Sequence, residues 1–104
     1  DKFQSDEELY LELNRCIRNR FENFRIVVQP QVTAQSGDIY GGEVLLRWSY
    51  KGKDVPPMKF IPLLENSGLI IPVGKWVVSE TVALSQKIIK LIPGFKLSFN
   101  VDTF

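Results

Sequence analysis

Residues 41–48 read Gly41-Gly42-Glu43-Val44-Leu45-Leu46-Arg47-Trp48, an apolar stretch that contains two opposite charges. Because side chains of an extended strand alternate between faces, Glu43, Leu45 and Arg47 share one face and the apolar residues between them share the other. An ionised group in a buried strand is costly unless it is paired or binds a metal or an anion. The stretch therefore predicts either a functional strand face or a charge contact between Glu43 and Arg47 on a solvated face.

The composition favours a single globular unit and excludes several kinds of site. Of the 104 residues, 44% are hydrophobic and 24% are charged, and the formal net charge is +1. No strong electrostatic attraction to a nucleic acid polymer is therefore expected. One cysteine, Cys16, and no histidine are present, which excludes an internal disulfide, a Cys/His zinc site and a histidine-based triad. Any metal ion must be bound by oxygen atoms.

The chain carries no signal for a membrane. No apolar run approaches the roughly 20 residues that cross a bilayer, and the acidic residues 1–8 do not resemble a signal peptide. We expect a cytoplasmic location and no membrane segment in this chain, although the parent protein can be anchored elsewhere in its sequence.

The first predicted element is a helix from about Asp6 to Phe21. Ser5 and Glu8 form a capping box at its start. Cys16 falls on its apolar face, and we interpret this residue as a small core hydrophobe because nothing nearby in sequence supplies a base.

Two antiparallel strands are predicted next, over residues 25–32 and 39–48. The turn Ser36-Gly37-Asp38 separates them at hairpin spacing. Gln29 lies near the end of the first strand, where a polar side chain is common, so a structural and a ligand-binding role both remain open.

The second half of the chain alternates helix and strand. The expected elements are a polar loop over residues 50–54, a helix from about Met58 to Asn66 capped by Gly68 with Pro62 near its first turn, a helix from about Gly74 to Leu91, and a strand from Lys96 to Phe104. Glu65 sits at a helix end without a partner and is interpreted as structural. The last strand has a polar face, Ser98, Asn100 and Asp102, which lines a catalytic mouth in a closed barrel but faces water in an open sheet.

Several separate motifs occur in register along the chain. They are Gln29-Pro30, Glu43-Val44-Leu45-Leu46-Arg47-Trp48, Val55-Pro56-Pro57, Phe60-Ile61-Pro62, Glu65-Asn66-Ser67-Gly68-Leu69-Ile70 and Val73-Gly74-Lys75-Trp76. From about Phe24 to Asn100 they closely resemble the first part of the EAL domain, the bacterial phosphodiesterase that hydrolyses cyclic di-GMP. The signature tripeptide has Val44 where the family has alanine. Because Val44 points away from the Glu43 face, we expect this change to affect packing and not the ligands.

The resemblance implies an α/β fold, a TIM-type (β/α) barrel whose first two strands are antiparallel. Such barrels need about 250 residues, so we expect only a partial barrel here. Residues 1–23 would form an amino-terminal linker helix, and residues 24–104 the amino-terminal part of an EAL domain that stops after its third strand. By analogy with multidomain relatives, an upstream sensory or GGDEF domain is expected in the parent protein.

The resemblance also implies a site. Glu43 and Asn100 match catalytic metal ligands of the family, and hard oxygen ligands suit Mg²⁺ or Mn²⁺. Gln29, Leu45 and Arg47 match substrate-binding positions, with Arg47 on a phosphate. The implied activity is hydrolysis of cyclic di-GMP to linear pGpG.

The family's later metal-binding glutamate, its paired aspartates and its lysine have no counterpart in these 104 residues. We therefore expect this chain alone to be inactive and to self-associate. Asp102 replaces a usual serine, and the sequence does not distinguish a metal-binding role from a solvated one. Two alternatives remain: a degenerate EAL module that binds cyclic di-GMP or a protein without catalysis, and a generic α/β interaction domain if Glu43, Arg47 and Asn100 do not converge.

Overall fold

The computed structural model describes residues 5–99. In chain order its elements are α1 (Asp6–Arg18), β1 (Phe24–Val32), β2 (Ile39–Tyr50), β3 (Lys53–Asp54), α2 (Pro57–Ser67), α3 (Ile70–Leu91) and β4 (Lys96–Ser98). Asn100 and Asp102 lie outside the described residues, so the predictions made for them concern a part of the chain that the structure does not describe.

Helix α1 begins at the predicted cap. The Ser5 hydroxyl oxygen accepts a hydrogen bond from the backbone N–H of Glu8 at 3.0 Å. The helix was predicted to end at about Phe21, but it ends at Arg18. The reason is that Arg20 and Phe21 have φ values of 60° and 61°, which a right-handed helix cannot contain.

Helices α2 and α3 both start earlier than predicted. Because α2 begins at Pro57, Pro62 lies inside the helix and not in its first turn, where it removes one backbone N–H donor. Gly68 ends α2 in the predicted left-handed conformation, with a φ of 80°. Helix α3 begins at Ile70 and not near Gly74, since the missing N–H of Pro72 is tolerated in a first turn.

Within residues 5–99, no single helix has the length and apolar character to span a membrane; α2 and α3 meet that test only as a pair bent by 118°.

Strand β2 lies at the centre of the sheet. It pairs with β1 in the predicted antiparallel direction and with β4 in parallel. It also pairs with β3, which occupies residues predicted to be a polar loop. Lys51 and Gly52 connect β2 to β3 with φ values of 53° and 78°, as a tight hairpin turn requires.

The helices cover one face of the sheet. Val44, Leu46 and Trp48 of β2 are buried on this face, and Val44 is 2% exposed. The buried helical residues that complete this core are Leu9, Leu13, Cys16, Phe60, Ile61, Leu64, Val73 and Val77. Because alternate residues of β2 point away from the helices, Glu43, Leu45 and Arg47 lie on the opposite face, where they are only partly buried.

Gly41 allows β4 to approach β2 closely. A Cβ atom at this position would lie 2.5 Å from the backbone oxygen of Lys96, which cannot move without displacing β4. We expect Gly41→Ala to lower the free energy of unfolding by about 1–3 kcal/mol, measured by urea denaturation. Gln35→Ala, in the exposed turn, is the matched control. Equal stability of the two variants would show that β4 does not pair with β2 as described.

Candidate functional site

The predicted site residues of β1 and β2 share one face of the sheet. In the antiparallel register Gln29 lies opposite Glu43, and Val27 lies opposite Leu45. Arg47 lies further along the same face of β2. Residues directly opposite each other have Cβ atoms about 4.5–5.5 Å apart, so the side chains of Gln29 and Glu43 are close neighbours. On the other side of β2, Ser98 pairs with Glu43. The structure thus brings Gln29, Glu43, Leu45 and Arg47 onto one surface, which we call the site face.

The two charges of this face do not neutralise each other. Glu43 and Arg47 are four positions apart, roughly 13 Å along an extended strand. No ion pair within 4.0 Å joins them, or joins either of them to another of residues 5–99. The alternative of a charge contact between Glu43 and Arg47 is therefore wrong.

Arg47 has hydrogen-bonding capacity to spare. Its Nη1 donates to the backbone oxygen of Leu46 at 2.9 Å, which fixes one end of the guanidinium against its own strand. A guanidinium has five N–H donors in a planar fork. The remaining donors can bind a phosphate in bidentate fashion.

Glu43 supplies an oxygen ligand of the kind expected for a hard cation. Its neighbours in the register are the amide of Gln29 and the hydroxyl of Ser98, which are also hard donors that suit Mg²⁺ or Mn²⁺. The described part of the chain contains no group of three or more histidine, cysteine or acidic side chains that could hold a metal ion. The donors therefore fit such an ion by chemical type, while Glu43 alone cannot enclose it.

Two other candidate residues have structural positions. Cys16 is completely buried in the core, and burial raises the pKa of its thiol, so the interpretation as a core residue agrees with the structure. Glu65 is exposed near the carboxyl end of α2, on the helix side of the sheet.

A polar cluster next to Arg47 was not predicted from the sequence. Arg25 donates two hydrogen bonds to Asp54, from Nη1 to Oδ1 at 3.0 Å and from Nη2 to Oδ2 at 2.8 Å. The Ser49 hydroxyl donates to Asp54 Oδ1 at 2.9 Å. Hydrogen bonds from Arg25 and then from Ser49 lower the pKa of Asp54 to about 2. The signal that could have revealed this cluster is the pair Lys51-Gly52, a turn that places residue 54 opposite residue 49.

The Arg25–Asp54 pair predicts a pH dependence of stability. The pKa of Asp54 is about 2 in the folded chain and about 3.9 in an unfolded one. Because the folded value is lower, the contribution is fully present above about pH 4 and is lost as the pH falls toward 2. We expect Asp54→Asn to lower Tm slightly at pH 6, since exposed ion pairs contribute little. The difference in Tm between wild type and the variant should shrink as the pH falls from about 4 toward 2. Thermal unfolding at a series of pH values measures it. A difference that is constant down to pH 2 would contradict the pairing.

Comparison with known proteins identifies relatives of this chain. The family model described as EAL domain matches residues 11–104. Cyclic di-GMP phosphodiesterase PdeR of Escherichia coli (strain K12) is 38% identical over 76 residues, which are 70% of this chain and 11% of PdeR. The chain spans only 9% to 22% of the length of such curated relatives.

Solved structures share the fold. The PaMucR phosphodiesterase in complex with c-di-GMP superposes with a TM-score of 0.81 at 28% identity, covering 90% of this chain and 38% of that chain. The EAL domain of FimX from Pseudomonas aeruginosa, bound to c-di-GMP, has a TM-score of 0.70 at 26% identity, covering 88% of this chain and 36% of that chain. The predicted α/β fold, part of a TIM-type barrel with an antiparallel first strand pair, is confirmed. The domain boundary at residue 24 stays a prediction, because the family match begins inside α1.

Proposed function

Because this chain belongs to the EAL domain family, we propose that the protein that contains it hydrolyses cyclic di-GMP to linear pGpG with Mg²⁺ or Mn²⁺. The observation that carries the proposal is the site face, where Gln29, Glu43, Leu45 and Arg47 lie together. Glu43 and Arg47 have no ion-pair partner among residues 5–99. Two unpaired groups of opposite charge on one face suit a ligand that has phosphates and requires a cation.

Each residue of the site face has a role that follows from its position. Glu43 would hold the ion, together with Asn100, which lies beyond the described residues. An ion held there would supply an activated water and charge neutralisation at the phosphate oxygens. Arg47 lies roughly 13 Å further along β2, so it contacts a part of the ligand away from the ion. Gln29 offers an amide to the nucleotide, and Leu45 between them forms an apolar wall.

The assay for this function is release of pGpG from cyclic di-GMP by the complete EAL domain that includes this sequence. Release that requires Mg²⁺ or Mn²⁺ supports the proposal. Binding of cyclic di-GMP without any release would favour the degenerate module. If the domain neither binds nor hydrolyses cyclic di-GMP, both the phosphodiesterase and the degenerate module are contradicted.

Arg47→Ala should act mainly on binding. Loss of charge-assisted hydrogen bonds worth about 1.5–3 kcal/mol raises KM by about 10- to 100-fold, whereas kcat changes much less because the reacting bond lies near Glu43. Steady-state kinetics of the complete domain measures both constants. Arg47→Lys is the matched control, since it keeps the charge without the bidentate fork. An unchanged KM in Arg47→Ala would contradict the phosphate contact.

We also propose a sensory or diguanylate cyclase domain upstream in the parent protein, and a cytoplasmic location for the EAL domain. The support for the upstream domain is the bifunctional diguanylate cyclase/cyclic di-GMP phosphodiesterase MucR of Pseudomonas aeruginosa, which is 38% identical over 73 residues, 67% of this chain. The sequence of the complete gene tests the first part, and fractionation of the native protein tests the second.

The purified 104-residue chain is expected to self-associate. Helix α3 exposes apolar side chains at helical spacing, Ile71 at 61%, Val78 at 44% and Val82 at 52%, and exposed apolar patches favour association. Sedimentation at increasing concentration should show dimers or larger species. The double variant Val78→Lys/Val82→Lys should sediment as a monomer. A monomeric wild-type chain at every concentration would contradict this expectation.

A further inference from the structure

Two arginines face each other at the end of the site face that is remote from Glu43. Arg25 and Arg47 are register partners across β1 and β2. Their Cβ atoms therefore lie about 4.5–5.5 Å apart, and like charges placed directly opposite each other are destabilising. A carboxylate that balances one of them relieves this repulsion.

Asp54 balances Arg25 and leaves Arg47 unpaired. Both carboxylate oxygens accept from Arg25, at 3.0 and 2.8 Å, and Ser49 holds the same carboxylate at 2.9 Å. Within residues 5–99 no acidic side chain lies within 4.0 Å of the Arg47 guanidinium. Of the two arginines, only Arg25 has a carboxylate partner among the described residues.

Asp54 is nevertheless within electrostatic reach of Arg47. The register partner of Asp54, Ser49, is two positions from Arg47 on the same face of β2. The hydrogen bonds from Arg25 and Ser49 are the main causes of the lowered pKa of Asp54, and the charges of Arg25 and then of Arg47 add to them. A carboxylate competes with phosphate oxygens for the same N–H donors. If the bidentate partner were removed, Asp54 would be free to turn toward Arg47 and occupy the donors that a ligand needs.

We propose that Arg25 is a positioning residue for ligand binding, because its bidentate pair with Asp54 keeps that carboxylate away from Arg47 and leaves the Arg47 guanidinium free for a phosphate. The identity of the ligand, cyclic di-GMP, rests on the proposed function. Arg25 itself does not contact the ligand in this account.

The proposal predicts different effects on binding for the two halves of one ion pair. Arg25→Ala frees Asp54 for Arg47 and weakens binding by about three- to tenfold. Asp54→Asn removes the competitor, so binding stays equal or becomes tighter. The affinity of the double variant Arg25→Ala/Asp54→Asn should return to within about twofold of wild type. The effects of the two single substitutions would then not add, which shows that the two residues are coupled. A merely structural ion pair predicts that both single variants change binding alike.

Calorimetric titration of cyclic di-GMP into the complete domain measures these affinities. Glu43→Gln serves as the common background, so that turnover does not disturb the titration. Weakening in Arg25→Ala that is reversed in the double variant supports the inference. Equal affinities of Arg25→Ala and wild type, or no recovery in the double variant, would overturn it.

A second measurement needs no ligand and therefore separates this inference from the proposed function. NMR titration gives the pKa of Asp54 in Arg25→Ala and in Arg25→Ala/Arg47→Ala. We expect the pKa in the single variant to stay below the ordinary value of about 3.9, because Arg47 replaces Arg25, and to rise when Arg47 is also removed. Equal pKa values in the two variants would overturn the inference whether or not cyclic di-GMP is the ligand. Failure of wild type to bind cyclic di-GMP would overturn only the proposed function.

Discussion

Replacing Glu43 with alanine in the complete EAL domain is expected to reduce pGpG release by about 10³-fold or more, since removal of one group that stabilises transition-state charge costs 10²–10³. Glu43 is the acidic residue that β1 and β2 place on the site face, beside Gln29 and Ser98. Its loss removes a charged oxygen ligand, so an ion that neutralises phosphate charge is held weakly. The fold should persist, because the side chain contributes nothing to the core on the helix side.

Two controls make this prediction specific. Glu65→Ala removes an exposed carboxylate on the other side of the sheet, and we expect wild-type turnover. Glu43→Gln keeps the shape of the side chain without its charge and should be almost as inactive as alanine. Turnover is measured by chromatography of pGpG at saturating metal, with circular dichroism to confirm folding. Equal turnover by wild type and Glu43→Ala would overturn the assignment of Glu43 as a metal ligand.

The 104-residue chain by itself is expected to release no detectable pGpG. Among residues 5–99 no cluster of three acidic, histidine or cysteine side chains could hold a metal ion. Even with Asn100 added to Glu43, the attacking water would lack the lysine and the further carboxylates that the resemblance to the EAL domain implies. Transition-state charge would then go uncompensated.

The assay for this second prediction is long incubation of the purified chain with cyclic di-GMP and Mn²⁺. The same chain carrying Glu43→Ala serves as the control for contaminating phosphodiesterase. Release of pGpG by wild type that disappears in the variant would show that the chemistry requires fewer residues than proposed.

Strand periodicity was sufficient to predict the site face. The alternation of residues 43–48 assigned Val44 to the face opposite Glu43, and Val44 is buried on that face at 2% exposure. Local capping signals were equally informative, since Ser5 and Gly68 define helix ends through contacts within a few residues. These features depend on contacts between residues a few positions apart, so they can be predicted from the local sequence.

Features that depend on tertiary contacts could not be predicted in this way. Two-residue strand β3 carries no periodicity, and its pairing with β2 was missed together with the Arg25–Asp54 contact, which joins residues 29 positions apart. The early start of α3 at Ile70 was also missed, because Pro72 falls in the first turn, where the missing N–H of a proline is tolerated. Packing and register, and not propensity, determine such positions.

The most direct test of the claim that this strand face is the nucleotide site is a crystal structure of the complete domain with cyclic di-GMP and Mn²⁺, located by anomalous scattering. The account predicts a Mn²⁺ peak at direct coordination distance from a Glu43 carboxylate oxygen, since hard divalent ions bind carboxylate oxygens, and a phosphate within hydrogen-bonding distance of Arg47. A nucleotide bound away from β1 and β2, with Glu43 and Arg47 both facing solvent, would contradict it.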